Sequence, residues 1–586
     1  MVEKVFTVIA DILYAKDDLL HIEGRCNVLI KQDEAETQTC FPEDCDIVLR
    51  DGKGASVRAE KKRTQAFDVL DDEGKVSIPG MTFSVEMQTE AGMRFSFVIR
   101  DEGSGKEYPA KIKLGRYSQL SSARGYYLES GHCIFKREGN AIAVTKNSLL
   151  TRTQRKRELE KALREAGRQD IEDLRKRALK LKKGKPIWLL TDRADKAGDN
   201  AEAFFKYLSK NGAMDKYRVV FAVNEDSPDF AKMQQYGEVV PYGSDEYLAL
   251  YLAADKFISS QWTYESPTNP TLNPFRKDRK YVKDLMTGDF IFLQHGVIMN
   301  DLSRYGHRLK RNVRMFITSA HGEYESIASE RYGYTGDEVV LTGLARHDQL
   351  RSAPDKTILF MPTRRSGLER LTEDELKASD YYRFYNGMIN DPRLLKAMEK
   401  HGFTGVLVLH PVLVNTGVYK AFEANEYISI AEKGAVDYTA LFEKGSMLVS
   451  DYSSTTVDFA YLKQPVIYTQ YDRDTFFAGQ IYDSGYFSYE DDGFGPVCYD
   501  YETAISEIIS CIESGCMMND IYKKRVEEFF AYTDRDNCKR IYEAIEGINE
   551  GTRGKSSWKL KCLNASISPT LWAVTAGIST LITSRL

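Results

Sequence analysis

VSDYSSTTVDFAYLKQPVIYTQYD, residues 449–472, sets the architecture from which the rest of the chain is read. Val449 and Ser450 close an apolar run that includes Leu448, and Asp451 to Thr456 then cluster small hydroxyl and carboxylate side chains. Such residues cap helices by accepting from free backbone N–H groups. A helix is expected over about Thr456–Leu462, ended by Lys463-Gln464-Pro465, with Val466-Ile467-Tyr468 as the next strand. Strand, polar turn, helix, strand is the kind of unit that holds a nucleotide diphosphate, because exposed N–H groups and the helix dipole favour an anion. An ordinary helix cap beside a sheet fits the same letters, so neighbouring segments must choose between the two.

Those neighbours repeat the pattern. From Pro186 onward short apolar runs alternate with helical stretches: PIWLLTDR, YRVVFAV, EVVPYG, KFISSQ, DFIFLQHG, MFITSA and EVVLTG. A second series starts at Lys356 with TILFMPTRR and continues through GVLVLHP, ISIAEK, SMLVSDYSS and PVIYTQ. Alternating β and α elements imply parallel sheets covered on both faces. The expected fold is therefore α/β, a tandem pair of doubly wound, Rossmann-type lobes. Ligands bind beyond the carboxyl ends of such strands, in the cleft between the lobes.

Residues 1–148 read differently. VFTVIADILY, HIEGRCNVLI, KVSIPGMTFSVEM and MRFSFVIRD alternate apolar with polar residues between Asp, Gly and Lys turns, which predicts a β-rich sandwich or barrel-like domain. His21 and His132 stand singly in it and are read as structural. Residues 149–185 form a basic helical linker, dense in Arg and Lys with a thin apolar face. It is read as a solvated interdomain helix that also suits an anionic surface. The lobes are expected over 186–352 and 353–548, with a tail over 549–586.

Composition bounds the function. A net charge of -5 over 586 residues does not indicate a nucleic-acid binder. Nine cysteines lack CxxC or zinc spacing, Cys511 and Cys516 being too loosely spaced, so reduced cysteines in the cytoplasm are expected. The N-terminus has no secretory-signal pattern, and the mildly apolar 565–583, broken by Pro569, is read as a tail rather than a membrane span.

Chemistry-bearing residues fall at the strand ends. LQHG places His295 after an apolar strand, with Gly296 leaving room for a ligand; histidine is suited to take a proton near neutral pH. LVLHP places His410 at a strand end of the second lobe, and PTRR supplies Thr363, Arg364 and Arg365, guanidinium groups that match phosphate oxygens. DRADKAGDNAEA brings Asp192, Arg193, Asp199 and Asn200 to a helix start, a cap whose loop also suits an acceptor site. LTGLARHD carries Arg346 at the hinge, where an interlobe salt bridge is the structural alternative.

DRADKAGDNAEA, LQHGV, TGLARHD, PTRR, LHP and DYSSTTVDFAYLKQPVIY, in that order, resemble the CDP-glycerol glycerophosphotransferases of teichoic acid synthesis. The resemblance covers about residues 186–540 and leaves out the β-rich domain and the tail. Arg364 stands where the family often has an aromatic residue, and Arg365 matches its arginine. The resemblance implies a GT-B-like enzyme at the inner face of the cell membrane. It would move glycerol phosphate from CDP-glycerol to a lipid-linked anionic polymer and release CMP. His295 would then be the base. Arg365, Thr363, His410, Ser453, Ser454 and Thr455 would grip the pyrophosphate, and Asp458 would accept from the ribose hydroxyls. Asp451 reads as a loop anchor rather than a metal ligand, so no obligatory divalent ion is expected, with Mg2+ as the variant to test. A CDP-ribitol donor, a CMP-sugar transferase and a non-catalytic polymer-binding protein are the competing readings, and oligomerisation through the β-rich domain stays open.

Overall fold

The computed structural model describes residues 3–32, 35–39, 44–63, 67–71, 74–78, 81–262, 279–432, 438–476 and 484–551. The stretch 565–583 lies outside them. The chain divides into two units, 1–538 and 539–586, and the described part of the second is helical. Among the described residues, no helix is long and apolar enough to cross a membrane. Everything below concerns the first unit.

Two parallel sheets carry the α/β part. The first has seven strands; Ile187–Thr191 is third across it, flanked by Arg218–Val223 on one side and Lys256–Ser259 on the other. The second has six, with Thr357–Phe360 between Thr404–Leu407 and Gly445–Ser450. In each sheet the chain adds strands outward from the first one, then returns and continues on the far side. The point of reversal opens a crevice at the carboxyl ends of two adjacent strands. Ile187–Thr191 and Gly445–Ser450 are buried at every position, as expected of strands covered on both faces.

The stretch 449–472 forms as read, within a residue: strand to Ser450, helix Thr455–Tyr461, strand Val466–Thr469. One local expectation fails. Ser454 occupies the N-cap position, but its side chain makes no capping bond, because its backbone is already αR there.

The N-terminal part has a branched, largely antiparallel sheet of twelve strands, with Glu3–Lys16 pairing Leu19–Gln32 antiparallel and Glu107–Ser118 parallel, and a separate hairpin of Phe67–Asp71 with Gly74–Ile78. Both halves of this sheet face one core, in which the Phe83 and Phe97 rings meet edge to face. His21 is bound between Glu23 and Glu86, and His132 pairs with Asp18. This domain is tied to the first lobe by Tyr117, whose hydroxyl donates to Lys310 O at 2.6 Å, and by Arg308, which joins Glu23 to Glu338.

The linker differs from the expectation of one solvated helix. It is two helices, Leu149–Glu165 and Gln169–Leu181, broken at Gly167, whose φ of 67° favours glycine. Leu159, Leu163, Ile171, Leu174 and Ala178 all enter the first-lobe core. Arg175, which reads as one more surface charge, is buried in a bidentate pair with Asp284 at 2.6 and 2.7 Å. The apolar face is thin in sequence because it is split over two short helices that cross the same core.

Candidate active site

Each crevice is bridged by an aspartate. In the first lobe Asp192, just past Thr191, accepts from Asp199 N, Ala201 N and Glu202 N, and from Ser260 Oγ across the point of reversal. Burial and the neighbouring Asp199 charge push its carboxyl pKa up. In the second lobe Asp451 spans the equivalent gap, accepting from Thr363 N at 2.8 Å and Tyr452 N at 2.7 Å. Neither role is visible along the chain, since each joins loops far apart in sequence.

His295 follows the strand Asp289–Phe292 and is solvent-exposed. Desolvation by the surrounding protein lowers its pKa, Asp199 opposes this, and Arg346 and Arg193 lower it further. The shift favours the neutral imidazole. The residue before it, Gln294, has a left-handed backbone with φ 63°. Its carbonyl accepts from Asn200 Nδ2 at 2.7 Å.

The lobes meet immediately beside this histidine. A Cβ on Gly296 would lie 2.8 Å from Ser454 Oγ, so the glycine makes room for the other lobe's turn, not for a ligand as expected. Arg346 is corrected too. It donates to Asp199 Oδ1 at 2.5 Å, to His295 O at 2.8 Å and to Asp458 Oδ2 at 2.6 Å, which occupies it as the interlobe salt bridge. Asp458 is buried and also bonded to His347 Nε2 at 2.8 Å, so it has no face left for a ribose. Asp199 and Asn200 cap the helix Asn200–Lys210 and bond Arg346; this use of their polar atoms replaces the acceptor-site role.

Arg365 is the largest departure. It donates to Asp472 Oδ2 at 2.5 Å and Thr363 O at 2.6 Å and lies 2.8 Å from Asp451 Oδ2, enclosed by the Tyr381, Tyr452, Tyr471 and Phe476 rings. Four of the five N–H donors of this arginine are taken by two carboxylates and a carbonyl within an aromatic wall, so the bidentate face expected for a pyrophosphate is already occupied. Asp451 also takes the Tyr385 hydroxyl at 3.1 Å, so its carboxylate ties together the loops that carry Thr363 and Arg365. Among the described residues no three His, Cys, Asp or Glu side chains gather as a metal site would require.

What does reach solvent is a smaller set. His410 is exposed at the N-cap of the helix Pro411–Asn415, where its Nδ1 accepts from Val412 N at 3.3 Å. That bond leaves Nε2 to carry the proton of the neutral ring and donate outward. Desolvation, then Arg364, then Arg193 lower the His410 pKa. Arg193 thus acts electrostatically on both histidines, one from each lobe, and it is exposed with no side-chain ion pair among the described residues. Among the described residues Arg364 pairs with Glu369, at 2.9 Å. Ser453, Ser454 and Thr455 are half-buried, with Ser453 Oγ and Thr455 Oγ1 2.8 Å apart, and Thr363 Oγ1 is buried without a partner. The sequence reading placed Arg193 in a cap and preferred Arg365 to Arg364. The available signal was the missing partner: Arg193 follows its strand directly, while Arg365 has the carboxylates of two other strand ends to meet.

A profile of the family described as CDP-glycerol:poly(glycerophosphate) glycerophosphotransferase matches residues 174–547. The chain belongs to this family. The glycerophosphotransferase match starts within the second linker helix, takes in both parallel sheets and leaves out the β-rich part. The minor teichoic acid biosynthesis protein GgaB of Bacillus subtilis (strain 168) is 34% identical over 466 residues, covering 74% of this chain and 49% of that protein. The chain therefore spans about half the length of that relative. The teichoic acid glycerol-phosphate transferase of Staphylococcus aureus (strain NCTC 8325 / PS 47) is 22% identical over 384 residues, or 59% of this chain and 89% of that one. Among solved structures, the wall teichoic acid polymerase TagF is 17% identical with a TM-score of 0.47, covering 67% of this chain and 98% of that chain.

Proposed function

We propose that this glycerophosphotransferase-family chain moves glycerol phosphate from CDP-glycerol to a hydroxyl of a lipid-linked teichoic acid or capsular polymer, releasing CMP. The observation that carries this reading is a pair of exposed histidines, His295 and His410, each set just beyond the carboxyl end of a parallel strand in a different lobe. The two sheets are read as a GT-B pair, with donor on the second lobe and acceptor on the first.

The acceptor oxygen attacks the phosphorus that bears glycerol, and its proton passes to His295. The new P–O bond forms as the bond to the bridging pyrophosphate oxygen breaks, and CMP leaves with that electron pair. Charge then builds on the equatorial and leaving oxygens. Arg193, Arg364 and the Nε2–H of His410 are suited to meet it, with the hydroxyls of Ser453, Ser454 and Thr455 and the unpartnered Thr363 Oγ1 beside them. The basic face of the linker helices fits attachment to the inner face of an anionic membrane, where the polymer is lipid-linked.

Purified protein incubated with a defined acceptor and, separately, CDP-glycerol, CDP-ribitol or a CMP-sugar tests the reading, with the product weighed by mass spectrometry. Addition of glycerol phosphate from CDP-glycerol is expected. Addition only from CDP-ribitol or a CMP-sugar would replace the donor, and binding of polymer without transfer would end the enzymatic reading.

A further inference from the structure

Glu323 lies inside the first lobe on the short helix His321–Ile327, with no exposed surface. Three N–H donors converge on its carboxylate: Gln294 Nε2 at 3.0 Å and Ile298 N at 2.6 Å on one oxygen, Ser319 N at 2.7 Å on the other. Two of the three come from a single loop, and they flank His295.

That loop is not in a relaxed conformation. Gln294 holds φ at 63°, a region a non-glycine residue enters at a cost of roughly 1–2 kcal/mol and keeps only where its surroundings over-determine it. Asn200 grips the Gln294 carbonyl and Arg346 the His295 carbonyl. Both of those act on main-chain carbonyls. From the interior Gln294 Nε2 also meets Ile317 O, and among the described residues the Glu323 carboxylate bonds both Gln294 and Ile298. Burying a carboxylate costs several kcal/mol, which an apolar side chain in the same place would avoid. The bonds that offset this cost are concentrated on the segment that carries the histidine.

We infer that Glu323 is a positioning residue for the transfer reaction, acting through Gln294 and Ile298 to hold the His295 imidazole in one approach to the acceptor hydroxyl. This rests on His295 being the base. A loop released from its anchor lets the ring wander by an ångström or so, which costs on the order of a hundredfold in rate without touching the donor site.

Steady-state kinetics on four variants of the full chain test it. Glu323→Ala is expected to lower kcat roughly 10- to 100-fold while KM for CDP-glycerol changes by less than about twofold. Glu323→Gln keeps a carbonyl acceptor for Gln294 and Ile298, and is expected to recover most of that loss. Gln294→Gly accepts positive φ without strain but loses the side-chain anchor; it is expected to lower kcat in the same way, and it decides the matter if Glu323→Ala does not fold. Normal kcat in Gln294→Gly, a loss that appears in KM alone, or a folded Glu323→Ala as active as the parent would overturn the inference. His295→Ala is run beside them. If it is inactive while the others turn over normally, the base stands and the positioning role falls; if it is fully active, the base reading itself falls.

Discussion

Arg346 Nη2 lies 2.6 Å from Asp458 Oδ2, a buried ion pair that joins the end of the first sheet to the helix after the fourth strand of the second. The same guanidinium holds Asp199 and the carbonyl of His295, so one side chain couples the contact between lobes to the loop that carries His295. Arg346→Ala leaves two carboxylates facing each other without their cation. A loss of about 3–5 kcal/mol is expected, seen as a lower unfolding midpoint in denaturant, with Asp458→Asn less damaging. Equal stability of parent and Arg346→Ala would show the pair to be incidental.

Arg364 and Arg365 are adjacent and should behave oppositely. Arg364→Ala is expected to raise KM for CDP-glycerol about tenfold or more with little change in melting temperature, as one charge-assisted contact is lost. Arg365→Lys removes the fork that holds Asp472 and should lower the melting temperature even without ligand. Calorimetry with and without CDP-glycerol separates the two.

Desolvation by the surrounding protein lowers the His295 pKa, Asp199 opposes it and the cations Arg346 and Arg193 add to it, so protonation of the proposed base needs more acid than an ordinary imidazole would. The acid limb of kcat/KM should therefore lie below the usual histidine range. Arg193→Gln removes one of the depressing charges and should move that limb to higher pH. A limb that stays in place would detach Arg193 from the base.

Glu323 gives a stability signature of the opposite sign to a salt-bridged carboxylate. Burial pushes its pKa up from 4.5 to about 7, so the folded state binds its proton more tightly than the unfolded chain does. Its contribution is present at low pH and is lost as pH rises through about 7, a swing on the order of 3 kcal/mol. Glu323→Gln should flatten the fall in melting temperature between pH 5 and pH 8 relative to the parent.

Turnover is expected to persist in EDTA, since the cations offered to the donor are arginines. Full loss on chelation, restored by Mg2+, would reverse that proposal.

The secondary structure of 449–472 was legible to within a residue because the period of apolar residues, the small polar turn and Pro465 are all local signals. The linker was less so: Gly167 divides one basic pattern into two helices, and the burial of Arg175 depends on Asp284, over a hundred residues away. At the site, His295 and His410 could be found from their places at strand ends. The roles of Gly296, Arg346, Asp458 and Arg365 could not, because each is defined by a partner on another loop.

The amino-acid order by itself determined the alternation of strands and helices, the parallel sheets and the set of residues delivered to their carboxyl ends. Hydrophobic period and turn chemistry act over a few residues and need no partner. Only the tertiary structure decided which of those polar groups spend their hydrogen bonds on one another and which remain for a ligand. Partner choice for a charge is a matter of distances of a few ångströms between segments hundreds of residues apart. In this fold that choice turned Arg365 and Asp458 into struts and left Arg193, His295 and His410 facing the solvent.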